Sequence, residues 1–148
     1  MATWIASPTG TPDGDGSTAS PWDLTTALED KADTVDPGDT IYVRGGTYTV
    51  PDGIDVNLVG EEGNPVIIKP YPGESVTIDG NRDGEAVKLI NILRFGDGEY
   101  VRLQGCRITN SSTEERITDA EGSNPTTGRG TAIDVQTNGI EIINNIID

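Results

Sequence analysis

The sequence predicts an all-β solenoid, a stack of parallel coils covered at its start by a short N-terminal capping α-helix. Three observations point there. Apolar residues make up only 33% of the 148 and aromatics 5%, too few to fill a thick globular core. Those present are largely β-branched: sixteen Ile and ten Val, with eighteen Thr, interrupted by nineteen Gly and nine Pro. That mixture makes short strands divided by tight turns. The third observation is an internal repeat. Gly38-Asp39-Thr40-Ile41-Tyr42-Val43-Arg44-Gly45 returns as Gly73 to Gly80, as Gly98 to Gly105 and, more weakly, as Asn138 to Asn144.

Residues 1–36 read as the N-terminal cap, the terminal unit that closes one end of a solenoid core. Trp4 and Ile5 form its leading strand. Ser20-Pro21-Trp22-Asp23 reads as a helix start, with Ser capping, Pro at the first helical position and an acid three residues after the cap. Trp22, Leu24, Ala27, Leu28 and Ala32 carry the helical spacing to about Ala32. Residues 37–148 then read as about four coils. Each repeat copy supplies two inward aliphatics, Ile41/Val43, Val76/Ile78, Val101/Leu103 and Ile140/Ile142. Pro37-Gly38 and Pro72-Gly73 suit the centre of a type II turn. Further strands are expected within 54–58, 66–69, 87–95 and 131–135, and the polar stretch 111–130 reads as a long loop. Stacked copy on copy about 4.8 Å apart, the outward positions form two columns. One is Tyr42, Thr77, Arg102 and Glu141; the other is Arg44, Asp79, Gln104 and Ile143. Ile146-Ile147-Asp148 stops in mid-coil, which leaves strand edges and apolar core to be covered by further residues or by a second copy in a homo-oligomer stacked end to end.

Composition also excludes whole classes. The chain has no histidine and one cysteine, Cys106. It therefore has no Ser-His-Asp or Cys-His machinery, no His-ligated metal and no intrachain disulfide. A formal charge of −15 excludes nucleic acid as a partner, because phosphate binding needs clustered Lys and Arg. No apolar run reaches membrane-spanning length, so no membrane partner is expected. Met-Ala-Thr-Trp-Ile-Ala-Ser lacks the basic-then-apolar layout of a signal peptide. Either the chain is made without one, as virion proteins are, or it begins after a cleavage site. With the strong acidity, the expected setting is extracellular or a virion surface.

Four motifs in order carry a resemblance: Ser20 to Leu28, Asp36 to Tyr48, Asn64 to Glu74 and Val76 to Gly80. Together they resemble the opening of right-handed parallel β-helix proteins, the pectate-lyase-like superfamily with its chondroitinase and alginate lyase branch. The resemblance covers roughly residues 3–148. It implies a right-handed coil and a carbohydrate-directed function. In that superfamily catalytic bases, arginines and calcium-binding carboxylates sit on middle coils. It therefore implies the N-terminal portion of a polysaccharide lyase or glycoside hydrolase with its active site on later coils, and no catalytic residue is assigned. Two alternatives stand beside it: a non-catalytic glycan-binding adhesin or tail module, and a structural module that self-assembles through its open coil.

Candidate site residues follow from the outward columns. Tyr42, Arg102 and Glu141 on one face suit a sugar chain, and the competing explanation is ordinary cross-rung pairing, Arg102 with Glu141 and Arg44 with Asp79. Asp13-Gly14-Asp15-Gly16-Ser17 resembles half a calcium loop, making Asp13 and Asp15 metal candidates for Ca2+. No distal Glu completes it, and a solvated turn explains the same residues. Asp79, Asp83 and Glu85 form a weaker acidic group. Lys69, Lys88, Arg94 and Arg107 are available as lyase bases, but no motif selects among them. Trp22, Tyr48 and Tyr71 offer rings for stacking on sugars, with packing the expected use of Trp22 and Tyr71. Cys106 alternates with Ile108 and is expected inside as a small hydrophobe. A polyanionic substrate would need a local basic patch or a bridging calcium to approach so acidic a chain.

Overall fold

Parallel strands cannot be joined by a hairpin, so each must return through a crossover. In this protein the crossover is itself made of strands. The computed structural model describes residues 1–81, 92–111 and 132–148. β1 (Thr3–Ala6) and α1 (Leu24–Glu29) precede the first coil, which contains β2 (Thr40–Val43), β3 (Gly46–Thr49) and β4 (Ile54–Asp55). The second coil contains β5 (Val66–Pro70), β6 (Val76–Asp79) and β7 (Leu93–Phe95), and the third β8 (Val101–Gln104), β9 (Arg107–Thr109) and β10 (Ile133–Val135). β11 (Glu141–Ile143) and β12 (Ile146–Ile147) begin a fourth. Like positions pair in parallel to form three faces: sheet A, β1-β2-β5-β8-β11; sheet B, β3-β6-β9-β12; and sheet C, β4-β7-β10. The fold is an all-β parallel β-helix, with one short helix among the described residues. Most of the polar stretch 111–130, and much of 87–95, lies outside the described residues.

The core is three ladders of like side chains. In sheet A, Ile41, Ile68 and Leu103 lie in register and are fully buried, with Trp4 and Ile142 at either end. Sheet B contributes Tyr48, Ile78 and Ile108, and sheet C contributes Ile54, Leu93 and Ile133. Alternation along each strand sends the intervening residues outward.

This register departs from the expected columns. The Gly73–Gly80 copy lies in sheet B, where Tyr48 opposes Ile78, and not beside the other copies in sheet A. Within sheet A the Gly98 copy is displaced by two residues, so that Ile41 and Ile68 align with Leu103 and not with Val101. The physical reason is that a turn followed by two inward aliphatics satisfies any face of the helix. The face is chosen by how many residues separate the turns, and β5, ahead of Gly73, had already taken the sheet A position.

The cap differs in its helix. Asp23, not Ser20, is the N-cap, with an extended backbone (φ −70°, ψ 161°). Its carboxylate accepts from the Thr26 N–H (2.9 Å) and the Thr26 hydroxyl (2.7 Å). Ser20 to Trp22 stay out of the helix because Trp22 pairs with β1: its N–H donates to the Ile5 carbonyl and its carbonyl accepts from the Ser7 N–H. α1 stops at Glu29, short of Ala32, and a separate turn follows in which the Val35 N–H donates to the Lys31 carbonyl. The Trp22 ring, 2% exposed, stacks on Trp4 at 5.0 Å. Gly16 adopts φ +76° against both rings, where a Cβ would lie 2.8 Å from ring carbons.

Asp39 ties this cap to the first coil. Only 3% exposed, its carboxylate accepts from the Ala2 N–H (2.6 Å), the Trp4 indole N–H (2.8 Å) and the Asp36 N–H (3.1 Å). Burial pushes the carboxyl up, but these donors outweigh it and hold the group below the usual carboxylate range. A depressed folded value stabilises the fold above the ordinary Asp value of about 3.9 and loses that contribution as pH falls through the folded value. Thermal unfolding at pH 7 and at pH 3 should therefore show an acid loss of stability that Asp39→Asn reduces, with the variant already less stable at pH 7. Ile68→Ala, which opens a cavity in the middle of the sheet A ladder, should cost about 2–5 kcal/mol in urea unfolding.

Candidate functional site

Outside the core, sheet A carries an aromatic and cationic group built by one long corner. The corners from sheet A to sheet B use two residues in the first and third coils, but five, residues 71–75, in the second. Pro72-Gly73 turns the chain there: Gly73 has φ +79° and the Glu74 N–H donates to the Tyr71 carbonyl at 2.9 Å. The turn sets Tyr71 edge-on to Tyr42, with ring centroids 5.7 Å apart. The Arg44 guanidinium lies 4.7 Å from the Tyr71 ring centroid, and Lys69 Nζ lies 5.3 Å from that of Tyr42. Arg44 grips Glu74 through Nε and Nη2 at 2.7–3.0 Å. Those bonds and the Gly45 N–H hold the Glu74 carboxyl below its usual range.

The residues expected to form a sugar site are divided. Arg102 and Glu141 are neighbours in register and form an ion pair. They border a depression of about 260 Å³ together with Glu61, Glu62 and Tyr100. Tyr42 aligns with Lys69, while Arg102 aligns with Ile67, so Tyr42 stands in a different column with β5 between them. Arg44 pairs with Glu74 and not with Asp79. Asp79 is buried in sheet B, where it accepts from the Ser111 N–H at 2.9 Å and the Asn81 N–H at 3.1 Å. Trp22 and Tyr48 are buried, and the Tyr48 hydroxyl donates to the Arg44 carbonyl at 2.7 Å. Neither ring is open to a sugar. Asp83, Glu85 and Lys88 lie outside the described residues.

Asp15 accepts from the Ser17 N–H at 2.9 Å, and the Ser17 hydroxyl and N–H hold its carboxyl below the usual range. Among the described residues, no three carboxylate or thiol groups converge to hold a metal ion.

Sheet C presents a second charged face. Asp55, Arg94 and Asp134 align in register and point outward. Arg94 lies 3.8 Å from Asp55, both side chains about half exposed, and the Gln136 amide donates to Asp134 at 2.7 Å. Coil one turns from sheet B to sheet C through residues 50–53, whereas coils two and three spend residues 80–92 and 110–132 between the same sheets. The signal was present in the sequence as three apolar-charged-apolar triplets, Ile54-Asp55-Val56, Leu93-Arg94-Phe95 and Ile133-Asp134-Val135.

A family model described as the Pel9A-like right-handed beta helix region matches residues 4–147. The chain belongs to this family. Pectate lyase PEL9 of Emericella nidulans is 38% identical over 113 residues, covering 70% of this chain and 27% of that protein. The uncharacterized protein YwoF of Bacillus subtilis is 27% identical over 116 residues, covering 78% of this chain and 24% of that one. The Pel9A-like chain thus spans about a quarter of the length of these curated relatives. Among solved structures, the GH136 lacto-N-biosidase of Eubacterium ramulus superposes with a TM-score of 0.67 at 16% identity, covering 95% of this chain and 27% of that one. A rhamnogalacturonan lyase gives 0.62 at 21% identity (80% and 30% covered), and pectate lyase Pel9A 0.57 at 19% (73% and 28% covered). These likenesses show the right-handed parallel β-helix.

Cys106 is 2% exposed, and burial pushes its thiol up to about 12. A thiol-specific reagent at pH 8 should leave it unmodified in the native protein and label it promptly once denaturant is added.

Proposed function

We propose that this Pel9A-like chain is the front portion of an extracellular polysaccharide-degrading protein, in which the described coils bind sugar and the bond-breaking groups lie on coils beyond them. The observation that carries this reading is the Asp55–Arg94–Asp134 column on the outer side of sheet C, aligned in register and at least partly open to solvent. Two carboxylates that accept and a guanidinium that donates, one per rung about 4.8 Å apart, match the hydroxyl groups along a sugar chain. Arg94 is held to Asp55 only at 3.8 Å, so it can turn to a ligand at little cost. The names of the family relatives, with a pectate lyase among them, support a polysaccharide ligand. An acidic surface suits an extracellular setting, where charge keeps a protein dispersed.

Affinity electrophoresis of the 148-residue chain in gels containing pectate or galactan should show retardation, and Arg94→Ala should weaken it by roughly tenfold, the loss of one charge-assisted contact. The same chain should release no unsaturated uronate product. Turnover by this chain alone would overturn the division of labour, and mobility unaffected by either polymer would overturn the sugar-binding role.

A further inference from the structure

We propose that the outer face of sheet A around Tyr42, Lys69 and Tyr71 is a second sugar site, separate from sheet C and selective for a polyuronate, a sugar chain bearing a carboxylate on each ring. The inference rests on the sugar-directed reading above for the kind of ligand, and concerns a different face of the molecule.

The argument starts from where the cations are used. Every described arginine is engaged by a carboxylate: Arg44 by Glu74, Arg94 by Asp55, Arg102 by Glu141 and Arg107 by Asp148. The described lysines sit on aromatic rings, Lys31 on buried Trp22 and Lys69 on Tyr42. Lys31 belongs to the cap. Lys69 stands on an outward position of a central strand, faces no carboxylate among the described residues, and is partly open to solvent. In a chain carrying −15, a cation left without an acid on the surface is a selective feature. Its complement is an anion brought by a ligand.

The neighbours specify the rest of that ligand. Tyr71 is 37% exposed, and its orientation is held by the edge-on contact with Tyr42 and by the Arg44 guanidinium, itself anchored by Glu74. A ring fixed in this way offers its exposed part to the C–H groups of a pyranose at little ordering cost on binding. Gln104 follows Leu103, the partner of Ile68, and so stands beside Lys69 on the next rung as a donor and acceptor for hydroxyls. One cation, one rigid ring and one amide match one carboxylated sugar unit.

The test is calorimetric titration of the full chain with tetragalacturonate and with a neutral galactose tetramer. Wild type should bind the acidic oligomer more tightly, with an affinity that falls as salt is added. Lys69→Gln should lose about tenfold for the acidic oligomer and nothing for the neutral one, while Lys69→Arg keeps most of the affinity. Circular dichroism of each variant must match wild type. Unchanged binding by Lys69→Gln, or an equal loss for both oligomers, overturns the proposal. Arg94→Ala separates the two faces. Binding lost in Arg94→Ala but intact in Lys69→Gln leaves the sheet C reading standing and removes this one, and the reverse pattern does the opposite.

Discussion

The outward residues of sheet A take their positions from its inward ladder. Trp4, Ile41, Ile68, Leu103 and Ile142 stack in register, one from each strand. A strand slipped by one residue would turn its whole apolar set to water. Burying each aliphatic side chain is worth about 1.5–3 kcal/mol, so a slip would forfeit several such contributions together. The ladder therefore fixes which outward side chains become neighbours. Lys69 lies beside Tyr42, and Glu141 beside Arg102, because Ile68 lies on Ile41 and Ile142 on Leu103.

The corners divide the labour of the coil. Between sheets A and B the third coil turns in two residues, Gly105-Cys106, and the fourth in Asn144-Asn145. The Asn145 side chain bridges them, accepting from the Cys106 N–H and donating to the Leu103 carbonyl at 2.9 Å each. Backbone groups in such a turn have no ladder partner, and a side-chain amide satisfies them from the neighbouring coil. The corner between sheets B and C is not held to one length, running from four residues in the first coil to twenty-three in the third. The widest variation in chain length thus falls between sheets B and C, and the corners from A to B vary only from two residues to five.

The fold was legible because its requirements are compositional. β-branched residues, a repeated glycine-bounded motif and scarce aromatics admit few architectures. The site was less legible, because it depends on register, and the repeat motif is silent about register. Gly73 to Gly80 matches Gly38 to Gly45 in pattern yet serves sheet B, since a turn and two inward aliphatics meet the demands of every face. The expected Arg102–Glu141 pairing holds because those two copies share a sheet, whereas Arg44 lies in the corner after β2 and Asp79 in β6 of sheet B. Asp23 displaced Ser20 as the helix cap for a tertiary reason, the pairing of Trp22 with β1, which local propensity does not contain. The partnership of Lys69, Tyr42 and Tyr71 needed both the strand register and the five-residue corner, and neither is encoded locally.

The chain has two tryptophans, and they stack on each other in the cap, 5.0 Å apart. The cap meets the rest of the stack through the first coil, and a solenoid's stability is close to a sum of coil and nearest-neighbour terms. Intrinsic fluorescence is consequently a local thermometer of one end. It follows the release of β1 and Asp39 from the first coil, while far-ultraviolet dichroism averages over all three sheets. Where the two transitions coincide, the stack melts as a unit. Where fluorescence changes first, unwinding starts at the cap and runs coil by coil away from it.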